Sequence, residues 1–201
     1  MTRKAYIGVI FLVCCALMLQ LGCGKSKPSR FYILSPLPPE EAPSSRQDIS
    51  IGIGPVEFPD YLLRPQIVTQ TNANQLDYAE YDRWAEPLNE NFARVLADNL
   101  THLIPTDRVH LYPWLGTLEV HYQLLIEVIR FDQGEDDQIT LTVLWGLLDA
   151  PNREQLLQRR SSFSRPAADT TGYAGIAAAM SELVGEFSRE VAQALQSIRR
   201  Q

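Results

Sequence analysis

An uninterrupted apolar run over residues 5–19 follows the cations Arg3 and Lys4 near the start of the chain. A positive start followed by an apolar segment is typical of an export signal, which is cleaved from the mature protein. We therefore predict a signal peptide over residues 1–22. The domain that folds must then be built from the rest of the 201-residue chain, which is long enough to bury a core without disulfides.

The junction Gly22–Cys23 resembles a bacterial lipobox, in which a small residue precedes a cysteine whose thiol is diacylated. Lipoboxes usually carry Leu, Val or Ile three residues before the cysteine, and this chain has Gln20 there. We predict a lipid-anchored chain with acyl groups such as palmitate on Cys23 and a tether over residues 23–29. Two alternatives stay open: an uncleaved anchor, because the run approaches the ~20 residues that cross a bilayer, and an ordinary signal with an incidental cysteine.

The residue after Cys23 favours one membrane over the other. Gly24 stands where an aspartate would suggest retention in the inner membrane, so we predict the periplasmic face of the outer membrane. The alternative is that an uncleaved N-terminal segment holds the protein in the inner membrane.

The net charge of -6 and the scattered basic residues argue against a nucleic-acid partner, since phosphate binding needs a dense basic patch.

The three cysteines, Cys14, Cys15 and Cys23, all lie at the N-terminus, and residues 24–201 contain none. The mature domain therefore has no disulfide scaffold, cysteine nucleophile or thiolate metal site.

Hydrophobic periodicity predicts eight strands and two main helices. The predicted strands span residues 30–35, 48–54, 66–71, 75–81, 109–112, 119–131, 138–148 and 154–164. One predicted helix follows Pro87 and has an apolar stripe that extends to Leu103. The other predicted helix runs from Tyr173 to Ile198. Strands interrupted by only two helices favour an α+β fold with a largely antiparallel sheet. We predict a single periplasmic domain over residues 30–201.

No motif in the chain carries catalytic or metal chemistry. The histidines, His102, His110 and His121, lack the clustered spacing of a zinc site, and no G-x-S-x-G motif occurs. The acidic stretch over residues 132–137 loosely resembles a calcium loop but lacks the distal glutamate of an EF-hand, so we interpret it as a solvated hairpin tip. We predict no metal, no cofactor and no enzymatic activity.

Two proline-marked segments, PDYLLRPQIV and DRWAEPLNENF, contain the best candidates for contact with a partner. Aromatic and arginine side chains on rigid turns are typical interface anchors, so we predict partner-binding roles for Tyr61, Arg64 and Trp84. The alternative is that Tyr61 and Trp84 pack on the core while the prolines set the turns.

These segments, in the order lipobox, FYILSP, PVEFPDYLLRPQIVTQ and RWAEPL, resemble the ABC-type transport auxiliary lipoproteins, a PqiC-like family of intermembrane transport lipoproteins. The resemblance covers nearly all of residues 23–201 and is strongest over residues 31–100. It implies a non-enzymatic, lipid-anchored component of an envelope lipid transport system, whose partner is an MCE-domain protein that spans the periplasm. The alternatives are an envelope hydrolase with an unrecognised site and a free-standing structural lipoprotein, and homo-oligomerisation stays open.

Overall fold

The structure is a computed structural model that describes residues 27–38, 48–114, 116, 118–167 and 172–200. The predicted signal peptide and Cys23 lie outside these residues, so both stay predictions.

Eight strands, one 3-10 turn and two long helices make up the described chain. In order, they are β1 (Arg30–Tyr32), β2 (Ile51–Glu57), the 3-10 turn (Asp60–Leu62), β3 (Gln66–Asn72), β4 (Gln75–Trp84), α1 (Leu88–Leu103), β5 (Val109–Leu111), β6 (Tyr122–Gln133), β7 (Gln138–Asp149), β8 (Glu154–Pro166) and α2 (Tyr173–Ile198).

The strands form one eight-stranded sheet in the order β1-β4-β3-β6-β2-β5, and β7 and β8 extend it from β6. The pairs β3–β4, β6–β7 and β7–β8 are antiparallel, whereas β1–β4, β2–β5, β2–β6 and β3–β6 are parallel. The prediction of an α+β fold with two main helices and a largely antiparallel sheet is confirmed, since the longest registers are antiparallel. The parallel pairs join strands that are distant in sequence, where no local turn signal reveals them.

Alternate residues of β7 form the floor of the core. Five of them are at most 1% exposed: Ile139, Leu141, Val143, Trp145 and Leu147. Phe187 of α2 meets Trp145 edge-on with ring centroids 5.8 Å apart, and it stacks on Phe92 of α1 at 6.2 Å. The intervening residues, such as Leu144 and Leu148, point to the other side of the sheet. In the described chain, both helices therefore cover one face, and we call the opposite, helix-free side the outer face.

The chain that follows β1 is fastened to both helices. Two buried asparagines of α1 accept backbone hydrogen bonds from it: Asn91 from Leu34 at 2.6 Å and Asn99 from Leu37 at 2.8 Å. Gly185 of α2 leaves the space that Leu37 fills, because a Cβ there would lie 2.5 Å from a Leu37 methyl carbon. Buried amide groups are costly unless they are paired, so these contacts fix the start of the domain against its core.

The structure corrects the predicted end of β2. The sequence indicated that Pro55 ends the strand, but β2 continues to Glu57. Its pairing with β6 shifts register between Ile53 and Val56. Proline has no N–H to donate to a ladder, and such an irregularity is where a strand tolerates it.

The acidic hairpin is only partly the solvated tip that we predicted. Glu135, Asp136 and Asp137 are exposed, as expected. Asp132, however, belongs to β6 and is fully buried. Sequence alone could not separate it from its neighbours, because one of its two donors, Tyr61, lies 71 residues away in the turn between β2 and β3.

We expect Phe187→Ala to lower the free energy of unfolding by about 3–5 kcal/mol, because truncating a fully buried phenylalanine leaves a cavity. Denaturant unfolding followed by circular dichroism measures this change. The control Arg189→Ala alters an exposed position on the same helix and should change stability by less than about 0.5 kcal/mol. Similar losses for the two variants would contradict this packing.

Candidate functional site

The predicted partner-binding residues lie on or beside the turn between β2 and β3. The 3-10 turn Asp60–Leu62 lies between Pro59 and Pro65, and both prolines restrict the flanking backbone. Leu63 is 48% exposed and Arg64 is also exposed. Residues 59–65 therefore present an apolar and a cationic side chain on a restrained backbone.

A buried carboxylate fastens this turn to the end of β6. The Tyr61 hydroxyl donates a hydrogen bond to Oδ2 of Asp132 at 2.8 Å, and Arg130 Nε donates to Oδ1 at 2.8 Å. Burial, and then the bond to Asp132, raise the pKa of the Tyr61 phenol, so the hydroxyl remains a donor. The hydroxyl is thus engaged within the chain, and both carboxylate oxygens of the fully buried Asp132 are satisfied.

Arg64 and Trp84 occupy different environments. The Arg64 guanidinium carbon lies 5.4 Å from the Tyr78 ring centroid, within cation–π range, and its side chain faces solvent. Trp84 is 5% exposed and packs in the hydrophobic core, while its backbone N–H donates to the Pro65 carbonyl at 2.7 Å. The structure brings the three predicted residues near one turn but leaves only Arg64 with its polar group in solvent. Their partner-binding role stays a prediction.

A second polar cluster, which sequence reasoning missed, joins β1 to β4. Asp82 is buried, and its oxygens lie 2.7 Å from Arg30 Nε and 2.9 Å from Arg30 Nη2. The Tyr32 hydroxyl donates to the same carboxylate at 2.7 Å. The hydrogen bond from Arg30 holds the pKa of the Asp82 carboxyl below its usual range. The i, i+2 spacing of Arg30 and Tyr32 indicates a shared strand face, but only the long-range pairing of β1 with β4 identifies Asp82.

The domain begins close to the predicted anchor. β1 starts at Arg30, so the link from Cys23 has about seven residues and spans at most roughly 25 Å. On the strand side opposite Arg30, Phe31 is 65% exposed and Ile33 is 54% exposed. A chain acylated at Cys23 would therefore hold β1 near the lipid surface.

Two of the three described histidines contact backbone groups through their rings. His121 Nδ1 accepts a hydrogen bond from the Ser50 N–H at 3.0 Å, and His102 Nδ1 lies 2.7 Å from the Asp98 carbonyl oxygen. Among the residues that the structure describes, no group of three or more His, Cys, Asp or Glu side chains could hold a metal ion. The described part of the chain also contains no helix that is long and apolar enough to cross a membrane.

A family comparison accounts for most of the sequence. The model of the ABC-type transport auxiliary lipoprotein component matches residues 32–192, well over half of the chain. The protein therefore belongs to this family, as the sequence motifs indicated, and its class is that of auxiliary lipoproteins of ABC-type transport systems. No curated protein matches the sequence.

Solved structures share the fold. Protein XCC0632 from Xanthomonas campestris has a TM-score of 0.71 at 16% identity, covering 86% of this chain and 100% of its own. An uncharacterized protein has a TM-score of 0.68 at 19% identity, covering 84% of this chain and 99% of its own. The hypothetical protein CT253 from Chlamydia trachomatis has a TM-score of 0.50 at 12% identity, covering 76% and 98%. These likenesses support the architecture alone.

We expect Tyr61→Phe to lower the free energy of unfolding by about 1–3 kcal/mol, because the buried Asp132 carboxylate loses one of its two donors. Thermal and denaturant melts measure the change. Tyr112→Phe removes the hydroxyl of a tyrosine that is 57% exposed and serves as the matched control. If both hydroxyls contribute equally, Tyr61 does not hold the turn through Asp132.

Proposed function

We propose that the protein is a lipid-anchored component of an MCE-type lipid transport system, and that it docks the periplasm-spanning MCE protein at the outer membrane. Its membership of the ABC-type transport auxiliary lipoproteins supports the transport role. The observation that carries the docking role is the restrained turn over residues 59–65, which is tied to the core by Tyr61 and exposes Leu63 and Arg64.

The physics of this turn suits a docking contact. A backbone that is already ordered loses little conformational entropy when it binds. The Arg64 guanidinium offers a planar fork that can hold a carboxylate in a bidentate manner. Trp84 lies in the core and contributes to docking indirectly, because its backbone N–H bonds to the Pro65 carbonyl and supports the turn. A tether at Cys23 would raise the effective concentration of this surface near the membrane, so individual contacts can be modest.

We expect Cys23 to be diacylated and residues 1–22 to be removed. Metabolic labelling with palmitate, followed by intact-mass measurement of the purified chain, tests both steps. Wild type should incorporate label, whereas Cys23→Ala should not. Cys14→Ala controls for an earlier cysteine in the apolar run and should label like wild type. Equal labelling of wild type and Cys23→Ala, or a mature mass that includes Met1, would exclude lipidation at Cys23.

We expect Arg64→Glu to weaken co-purification with the MCE protein while the melting temperature stays nearly unchanged, because the side chain is exposed and lies outside the core. Arg189→Glu makes the same charge change on α2 and is the matched control. Undiminished binding of Arg64→Glu would remove the turn from the docking surface. Failure of the wild-type chain to bind any MCE protein would refute the docking role itself.

A further inference from the structure

The outer face of the sheet contains an apolar depression of about 220 Å³. Its lining includes Pro55 of β2, Leu125 of β6, and Leu144, Gly146 and Leu148 of β7. We call it the outer-face depression. In the described chain both helices pack on the opposite side of the sheet, so this apolar surface remains accessible to solvent.

Gly146 creates the depression. On β7 it lies between Leu144 and Leu148 on the outer face, and it pairs directly with Leu125 of β6. A Cβ at this position would come within 3.1 Å of the Leu157 carbonyl oxygen, so a side chain fits poorly there. The missing side chain leaves a recess between Leu125 of β6 and Gln158 of β8.

Two glutamates border the recess at one end. Glu57 of β2 and Glu127 of β6 are direct partners in the parallel register, and both line the depression. Both are exposed, and among the described residues neither side chain forms an ion pair or a hydrogen bond. Like charges placed directly opposite on neighbouring strands destabilise a sheet. An apolar recess beside two unpaired carboxylates is complementary to an apolar side chain with a cation next to it.

The same face continues to the docking turn. Arg130 and Asp132 of β6 pair with Thr142 and Thr140 of β7, which lie on the outer face with Leu144. Tyr61 of the turn reaches over this face to bond Asp132. The turn and the outer-face depression therefore belong to one continuous surface that runs along β6.

We propose that the outer-face depression binds a segment of the MCE partner in which a large apolar side chain stands next to a lysine or arginine. This rests on the proposed docking function and names the chemistry of the partner surface. The apolar side chain fills the recess over Gly146, where packing excludes water, as in interface hot spots. The cation meets Glu57 and Glu127, which orient the segment and favour a basic partner over an acidic one.

Two single charge reversals test this assignment. Glu127→Lys and Glu57→Lys each turn the like-charged pair into an opposite-charged pair, so the melting temperature should stay level or rise. Each should nevertheless weaken binding of the purified MCE protein about tenfold, because a cation now faces the partner's cation. The full lipoprotein in detergent micelles is titrated by biolayer interferometry. Glu119→Lys makes the same change at an exposed position before β6 and should bind like wild type.

The outcomes separate this inference from the docking function. If wild type binds and both reversals bind equally well, the depression is not the contact, and docking stands on other residues. If the reversals alter only self-association, measured by light scattering, the depression belongs to a second copy of the chain and the inference is wrong. If wild type does not bind the MCE protein, the docking function fails and this inference fails with it.

Discussion

The packing of Phe187 against Trp145 determines how the rest of the chain is arranged. Because this contact draws α2 onto one side of β7, the alternating residues of the sheet divide into a buried set and an outer set. Phe92 stacks on Phe187 and brings α1 to the same side. Both helices therefore pack on one face of the sheet, and the outer face is left without a helix in the described chain.

Two buried carboxylates hold segments that the helices do not cover. Asp132 accepts hydrogen bonds from Tyr61 and Arg130, and Asp82 accepts hydrogen bonds from Arg30 and Tyr32. Each buried carboxylate is costly alone, so its donors hold a turn or an edge strand in one position. The bonds to Asp132 restrain the turn proposed for docking, and the bonds to Asp82 secure the strand nearest the predicted anchor. In this member of the auxiliary lipoprotein family, the turn proposed for docking and the strand nearest the predicted anchor are both connected to the rest of the domain by buried carboxylates.

The sequence predicted what local periodicity can encode. The apolar stripe beginning at Tyr173 predicted α2 at its observed bounds, and the strand predicted over residues 138–148 differs from β7 by one residue. The exposure of side chains at the candidate site was harder to predict from the sequence. The prolines indicated a rigid turn, but Trp84 is buried, and Asp132 lies in the interior and not at the exposed hairpin tip. Such outcomes depend on which distant strands pair, and so does the depression over Gly146. No pattern within a short window contains that information.

Site-specific photo-cross-linking in living cells tests whether the outer face and the turn over residues 59–65 meet the partner. A photoreactive residue would replace Leu63 or Gln158 on the proposed surface, or Asp98 or Arg189 on exposed parts of the helices. We predict covalent adducts with the MCE protein from positions 63 and 158 and none from positions 98 and 189. Adducts from the helix positions alone would contradict this account.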